Sequence, residues 1–305
     1  MNAIEIRNLT KRFKSLSSGE KIAVNDLTMT VPEGAIYGFI GENGSGKSTT
    51  EKMICGLLVP NGGTIKLYGR DYTDADVRAK VGCIIEMPGC FPNMSVYNNL
   101  LLHANNLGLK KPHDEIRRVL TLVHMEGSAS NKFKNCSLGM KQRIGIAMAL
   151  LGNPQLLILD EPINGLDADG MRIMREILQD VTKNGCTVVV SSHILGELEK
   201  VATHYGIIKS GKMIKEMTAE QLENECPTFV EIKTGKQEIA KAILMRKYSR
   251  VETDENGAIR VYDAECPEDI VTLLHDDGIT VSEIKTTKIS LEEYYINLMH
   301  GKEVK

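Results

Sequence analysis

The segment GENGSGKST, Gly41 to Thr49, has the spacing G-x-x-x-x-G-K-[ST] and lies between an apolar run and a helical pattern. Glycines there let the backbone curl until several N–H groups face one anion, and the helix N-terminus behind them adds partial positive charge. Gly41, Asn43, Gly44, Ser45, Gly46, Lys47, Ser48 and Thr49 are therefore assigned to a phosphate cradle. Within it Lys47 reaches the β and γ phosphates and Ser48 ligates Mg²⁺. A second run, LLILDEP, ends in two carboxylates. Asp160 suits a hold on the metal through water, and Glu161 suits the general base that polarises an attacking water. His193 directly follows the apolar CTVVVSS, at a strand end where a γ-phosphate would lie, and is a candidate sensor of that group. Glu86 closes VGCIIE just before a Met-Pro-Gly break, either as a strand end meeting water or as a carboxylate with a chemical task.

These residues need a scaffold that brings strand ends together. Short apolar strands, IYGFI, VGCIIE, LLILD, CTVVVSS and GIIKSGKMI, alternate with helical patterns such as 143–151 and 170–183. Strands interleaved with helices predict an α/β domain with a parallel sheet covered on both faces, and ligands at the carboxyl ends of its strands. After Met217 the order becomes strand, helix, a hairpin around Glu255-Asn256-Gly257, helix, strand and a last helix from Ser290. That β-α-β-β-α-β pattern predicts a small α+β, ferredoxin-like domain over residues 218–305, beside an α/β P-loop NTPase domain over residues 1–217. At 305 residues and 42% hydrophobic content, the chain has enough apolar mass for both cores.

A formal net charge of -3 disfavours a protein that wraps nucleic acid, which needs a basic surface. Seven scattered cysteines without C-x-x-C suggest neither a disulfide framework nor a zinc site, and read as core residues in a reducing cytosol. The longest apolar run, 144–151, falls well short of the ~20 residues that span a bilayer, so any membrane part is expected on a separate chain.

Over residues 3 to 215 the order of motifs resembles the nucleotide-binding subunits of ABC transporters. The diagnostic segment is CSLGMKQRIGIAMALL, which looks like the family's L-S-G-G-Q signature just ahead of the second acidic motif. Ser137 and Gly139 match; Leu138 and Met140 depart. The resemblance implies ATP and Mg as cofactors, with Ser137 and Gly139 cradling the ATP of a second protomer in a head-to-tail homodimer. It also implies that Phe13 stacks on adenine, that 164–167 cross the dimer interface, and that His193 is the switch histidine.

Glu86 stands where the family has a glutamine near the metal and the attacking water. A carboxylate still ligates Mg²⁺ but adds charge beside Asp160, Glu161 and the γ-phosphate. Repulsion between unit charges about 4 Å apart is roughly 4 kcal/mol at an effective dielectric of 20, so unusually strong metal dependence is expected. Together with the altered signature and the extra C-terminal domain, Glu86 resembles the lantibiotic-immunity and bacitracin-resistance branch. The implied protein is a cytoplasmic ATPase held at the inner face of the membrane by an integral permease, whose coupling helix docks on MPGCFPNMSVYNNLLLHA with Phe91 and Tyr97 in contact. An exporter of lipid, polysaccharide or small drugs, or an ABC ATPase without a transport role, remains an alternative. In the C-terminal domain, Leu291, Tyr294, Tyr295, Leu298 and Met299 make an amphipathic helix expected to pack on its own chain.

Overall fold

Strands apolar on both faces need cover on both faces, and the runs flanking the phosphate loop form such strands. The computed structural model describes residues 1–15, 19–254, 256–262, 264 and 266–300. Two compact units divide it, Met1–Ala219 and Glu220–Lys305.

The first unit opens with two long strands, β1 (Asn2–Ser15) and β2 (Gly19–Pro32), followed by β3 (Ile36–Ile40) and helix α1 (Lys47–Ile54). Next come β4 (Gly62–Leu67), β5 (Arg70–Asp71), α2 (Ala75–Arg78) and β6 (Val81–Ile84). Three helices, α3 (Val96–Asn106), α4 (Pro112–Leu122) and α5 (Leu138–Ala149), precede β7 (Leu156–Asp160). The unit closes with α6 (Ala168–Lys183), β8 (Thr187–Ser192), α7 (Leu195–Leu198), β9 (His204–Lys209) and β10 (Lys212–Thr218).

Its larger sheet has the order β10-β9-β3-β8-β7-β6. The strands from β9 to β6 run parallel and β10 is antiparallel to β9. β3, β7 and β8 occupy the middle and are buried almost throughout, as their unbroken apolar runs require. The segment GIIKSGKMI, expected as one strand, instead turns back at Ser210-Gly211, both at positive φ, to give the β9–β10 hairpin. A second, antiparallel sheet, β2-β1-β4-β5, lies outside the elements predicted from the sequence. The two sheets share one core: Ile4, Ile6, Leu27 and Met29 pack in the same cluster as Tyr37, Phe39, Met53 and Ile158.

In the second unit α8 (Ala219–Glu225) leads to β11 (Thr228–Thr234), α9 (Gln237–Leu244), β12 (Val251–Thr253), β13 (Ile259–Val261), α10 (Pro267–Asp276), β14 (Val281–Lys288) and α11 (Leu291–Met299). The antiparallel sheet order β12-β13-β11-β14 is the ferredoxin-like split β-α-β arrangement. Glu255, one residue of the predicted hairpin, lies outside the described residues. Val230, Ile232, Ile243, Leu244, Ile270 and Leu274 form this unit's own core. Leu291 and Tyr294 are buried, and the Tyr294 hydroxyl donates to Glu225 Oε2 at 2.6 Å, so α11 packs on its own unit.

Candidate active site

Four parallel strands deliver their carboxyl ends to one region. β3 runs into the loop 41–46, which closes onto the N-terminus of α1. Gly46 has φ 112, and a Cβ there would stand 2.6 Å from the Ala23 carbonyl oxygen, so both the backbone angle and the space demand glycine. The Lys47 ammonium donates to the carbonyls of Gly41 at 2.6 Å and Glu42 at 3.3 Å, and lies 3.8 Å from Glu161 Oε1. The lysine is only 5% exposed, which fixes its charge at the mouth of the loop.

β7 and β8 supply the acidic side. Ser191 Oγ donates to Asp160 Oδ1 at 2.9 Å and accepts from the Glu161 N–H at 3.1 Å, so one hydroxyl fixes both acidic residues. Ser191 was not singled out from the sequence; its signal was a polar residue inside an otherwise apolar central strand. His193 Nδ1 lies 2.7 Å from Glu161 Oε2, and the His193 N–H faces the same oxygen at 3.4 Å. Glu161 thus stands between an ammonium and an imidazole, the setting in which a carboxylate stays aligned for proton abstraction. Its φ of 50 and the φ of 69 at Glu86 are left-handed, at a cost of about 1–2 kcal/mol each for residues with a side chain.

Glu86, beyond the end of β6, pairs with Lys52 on α1 at 2.7 Å, a partner that the sequence pattern did not suggest. That hydrogen bond holds its carboxyl below the ordinary carboxylate range. Part of the negative charge expected to call for metal is therefore offset by Lys52. Phe13, Asn43, Gly44, Gly46, Lys47, Ser48, Thr49, Glu86, Asp160 and Glu161 line one cavity of about 430 Å³, joined by Lys21 and Ala23. Phe13 is 40% exposed, with the Lys11 ammonium 5.3 Å from its ring centre. An aromatic face left open on a cavity wall suits stacking on a flat base.

One buried polar atom of this lining, Glu161 Oε1, lacks a hydrogen-bond partner, which leaves the site short of a polar contact that a ligand would supply. Among the described residues no three His, Cys, Asp or Glu side chains form a metal cage. The hydroxyl-plus-carboxylate set of Ser48, Asp160 and Glu86 fits Mg²⁺, which takes one or two carboxylates and completes its shell with phosphate and water.

Ser137 and Gly139 stand apart from this cavity's lining. Ser137 caps α5, its Oγ accepting from the Met140 N–H at 3.2 Å, so a helix N-terminus with free donors lies there. A Cβ on Gly165 would come within 2.8 Å of Leu138 Cδ2, which places the 164–167 loop against the signature segment.

Glu51, a residue that the sequence motifs passed over, is fully buried on α1. Burial first, and then the charge of Asp160, push its carboxyl well above the ordinary range. Its carboxyl faces Ser191 and Asp160 without a hydrogen bond of full geometry to either. A neutral acid at this position spares the site another charge; the only clue in the sequence was its place on the inward face of the helix, four residues after Lys47.

Residues 24–164 match the family model described as ABC transporter. The chain is 36% identical to the bacitracin transport ATP-binding protein BcrA of Bacillus licheniformis, with 98% of this chain and 97% of that protein covered. It is 40% identical to the lantibiotic transport ATP-binding protein SrtF of Streptococcus pyogenes over 72% of this chain and 93% of that one. A solved ATP-binding subunit of an ABC transporter superposes with a TM-score of 0.63 at 28% identity, covering 73% of this chain and 92% of that structure. The chain belongs to the ABC transporter family, as one of its ATP-binding subunits.

Proposed function

We propose that this protein hydrolyses ATP to drive a separate membrane permease that exports bacitracin-like antimicrobial peptides. The observation that carries the ATPase assignment is the single cavity shared by the phosphate loop, Asp160, Glu161, Glu86 and the open ring of Phe13. Phe13 stacks on adenine, the loop amides and Lys47 hold the phosphates, and Glu161, kept in line by His193 and Ser191, takes the proton of the attacking water. Ser48, Asp160 and Glu86 hold Mg²⁺, which supplies neutralising charge at the phosphates. Ser137 and Gly139 then serve the nucleotide of a second copy in a head-to-tail dimer, consistent with neither residue lining its own cavity.

The peptide cargo is supported by the full-length match to a bacitracin transport protein, second unit included. The lantibiotic transport relative aligns over 221 residues that make up 93% of its length, which leaves it little room for such a unit and favours the bacitracin type. No helix among the described residues is long and apolar enough to cross a membrane. Its docking cleft is the apolar cavity of about 480 Å³ lined by Met87, Pro88, His103, Leu107 and Met148, with Phe91 exposed in the same segment. Tyr97 is turned to His113, its hydroxyl on Nδ1, and is a weaker candidate for that contact.

Two measurements follow. Affinity capture of the tagged protein from detergent-solubilised membranes of its host is expected to bring down one multi-span protein in fixed ratio, and capture of ribosomes or DNA in its place would favour a non-transport ATPase. Glu86→Gln is expected to keep ATP hydrolysis but to raise the half-saturating Mg²⁺ concentration several-fold. An unchanged metal titration would confine Glu86 to its pairing with Lys52.

A further inference from the structure

Of the three carboxylates that line the candidate site, two are fixed from within it: Asp160 accepts from Ser191, and Glu161 stands between Lys47 and His193. Glu86 is held differently. Among the described residues its carboxylate has one hydrogen-bond partner, the Lys52 ammonium, on Oε1 at 2.7 Å, and that ammonium has no other. Lys52 is not part of the cavity lining, so the paired oxygen is turned to a group outside the wall. The Glu86 side chain is otherwise 71% exposed, and its backbone sits at φ 69, a left-handed angle that a residue with a side chain adopts at a cost. Lys52 lies on α1 four residues after Ser48, hence on the same helix face and about 6 Å further along the axis. Two positions one turn apart on α1 therefore draw on one exposed carboxylate: the Ser48 end, where a divalent cation would sit, and the Lys52 end, where the carboxylate is found.

We propose that Lys52 is a positioning residue that competes with the divalent cation for the Glu86 carboxylate, and so raises the metal concentration that the site requires. The inference deepens, and rests on, the assignment of Ser48, Asp160 and Glu86 to a Mg²⁺-nucleotide site above. An ammonium only donates, so Lys52 satisfies the carboxylate without offering a ligand of its own to a metal, and its charge repels a dication brought to the same group. To serve the cation, Glu86 must therefore give up a charge-assisted hydrogen bond. Ligation through Oε2 with the Lys52 bond kept would leave an ammonium and a dication on one carboxylate, the less favourable arrangement. A neutral amide at residue 86 would form no ion pair with Lys52, so the competition belongs to the carboxylate and disappears with it.

The test is equilibrium binding of an ATP analogue with an imido group between the β and γ phosphates to the purified full chain, in EDTA and over a series of Mg²⁺ concentrations. The half-saturating metal concentration is read from the rise in affinity and needs no turnover. Lys52→Met, which keeps the length of the side chain and removes its charge, is expected to lower that concentration several-fold, while Lys52→Arg, which keeps the ion pair, stays near the wild-type value. In the Glu86→Gln background the Lys52→Met change is expected to have little effect. A half-saturating concentration that is unchanged or raised in Lys52→Met, or a shift of equal size in the Glu86→Gln background, would overturn the proposal and leave the nucleotide site standing. Absence of metal-dependent analogue binding by the wild type is a different result, and would overturn the site assignment and the proposal together.

Discussion

Glu161→Gln is expected to bind ATP with near-unchanged affinity, to accumulate as an ATP-bound dimer and to lose about 10²–10⁴-fold in kcat, the range attributed to a positioned general base. Glutamine preserves the shape of the side chain and leaves the Ser191 contact to the backbone N–H intact, since that bond involves no side-chain atom of residue 161. It removes the carboxylate oxygen that His193 Nδ1 faces at 2.7 Å and the charge that Lys47 senses at 3.8 Å. Binding and chemistry therefore separate in this variant: affinity rests on the phosphate loop and Phe13, turnover on the lost carboxylate. Single-turnover phosphate release together with nucleotide retention on gel filtration would measure both. Release within about tenfold of wild type would remove Glu161 from the role of base, because the lower bound for such a group is about 10².

Gly82→Ala is expected to be strongly damaging to the first unit. A Cβ at that position would stand 2.0 Å from the carbonyl oxygen of Ala149 and 2.9 Å from its carbon, and both are backbone atoms at the end of α5. No side-chain rotamer relieves that clash, so β6 and α5 must separate. Overpacking costs typically 1–3 kcal/mol where side chains yield, and a backbone clash lies at or above the upper end of that range. At about 2–4 °C per kcal/mol for a unit of this size, a fall of about 6–12 °C in Tm is expected in thermal unfolding monitored by circular dichroism. Because β6 leads directly to Glu86, the metal dependence of hydrolysis is expected to worsen before the fold is lost. A melting temperature within about 2 °C of wild type would mean that the β6–α5 contact is looser than the geometry indicates.

Which parts of this architecture are visible in one sequence depends on how each residue is stabilised. The central strands were legible because burial on both faces demands unbroken apolar runs, and IYGFI and LLILD carry nothing polar until Asp160. The phosphate loop was legible because its glycines and lysine answer to local geometry. β1 and β2 escaped because the outer half of β2 is exposed and the pair carries bulges near Leu9 and Lys11, which break the alternation that would mark them. The β9–β10 hairpin was hidden by Ser210, which adopts the left-handed turn conformation in place of the usual Asn or Gly.

At the candidate site, most of the residues named from the motifs line one cavity, and the residues that position them were not named from the sequence. Ser191, Lys52 and Glu51 act through contacts between elements distant in sequence, and nothing in their immediate neighbours announces such contacts. Cys83 shows the converse: an apolar strand context suggested burial, but β6 sits at the sheet edge, and one of its faces is open. The role of Glu86 was framed from its type and position alone, and its pairing with Lys52 changes the electrostatic balance on which the expectation of strong metal dependence was built.

The central claim, that ATP hydrolysis at this site powers export of bacitracin-like peptides, is tested most directly by growth of the native host carrying either the wild-type protein or Lys47→Ala. Inhibitory concentrations are read across bacitracin, several lantibiotics and unrelated toxic compounds, with protein levels matched by immunoblot. Selective sensitisation of the Lys47→Ala strain to bacitracin, and more weakly to the lantibiotics, is the expected result. Equal growth of the two strains on every peptide antibiotic would contradict it.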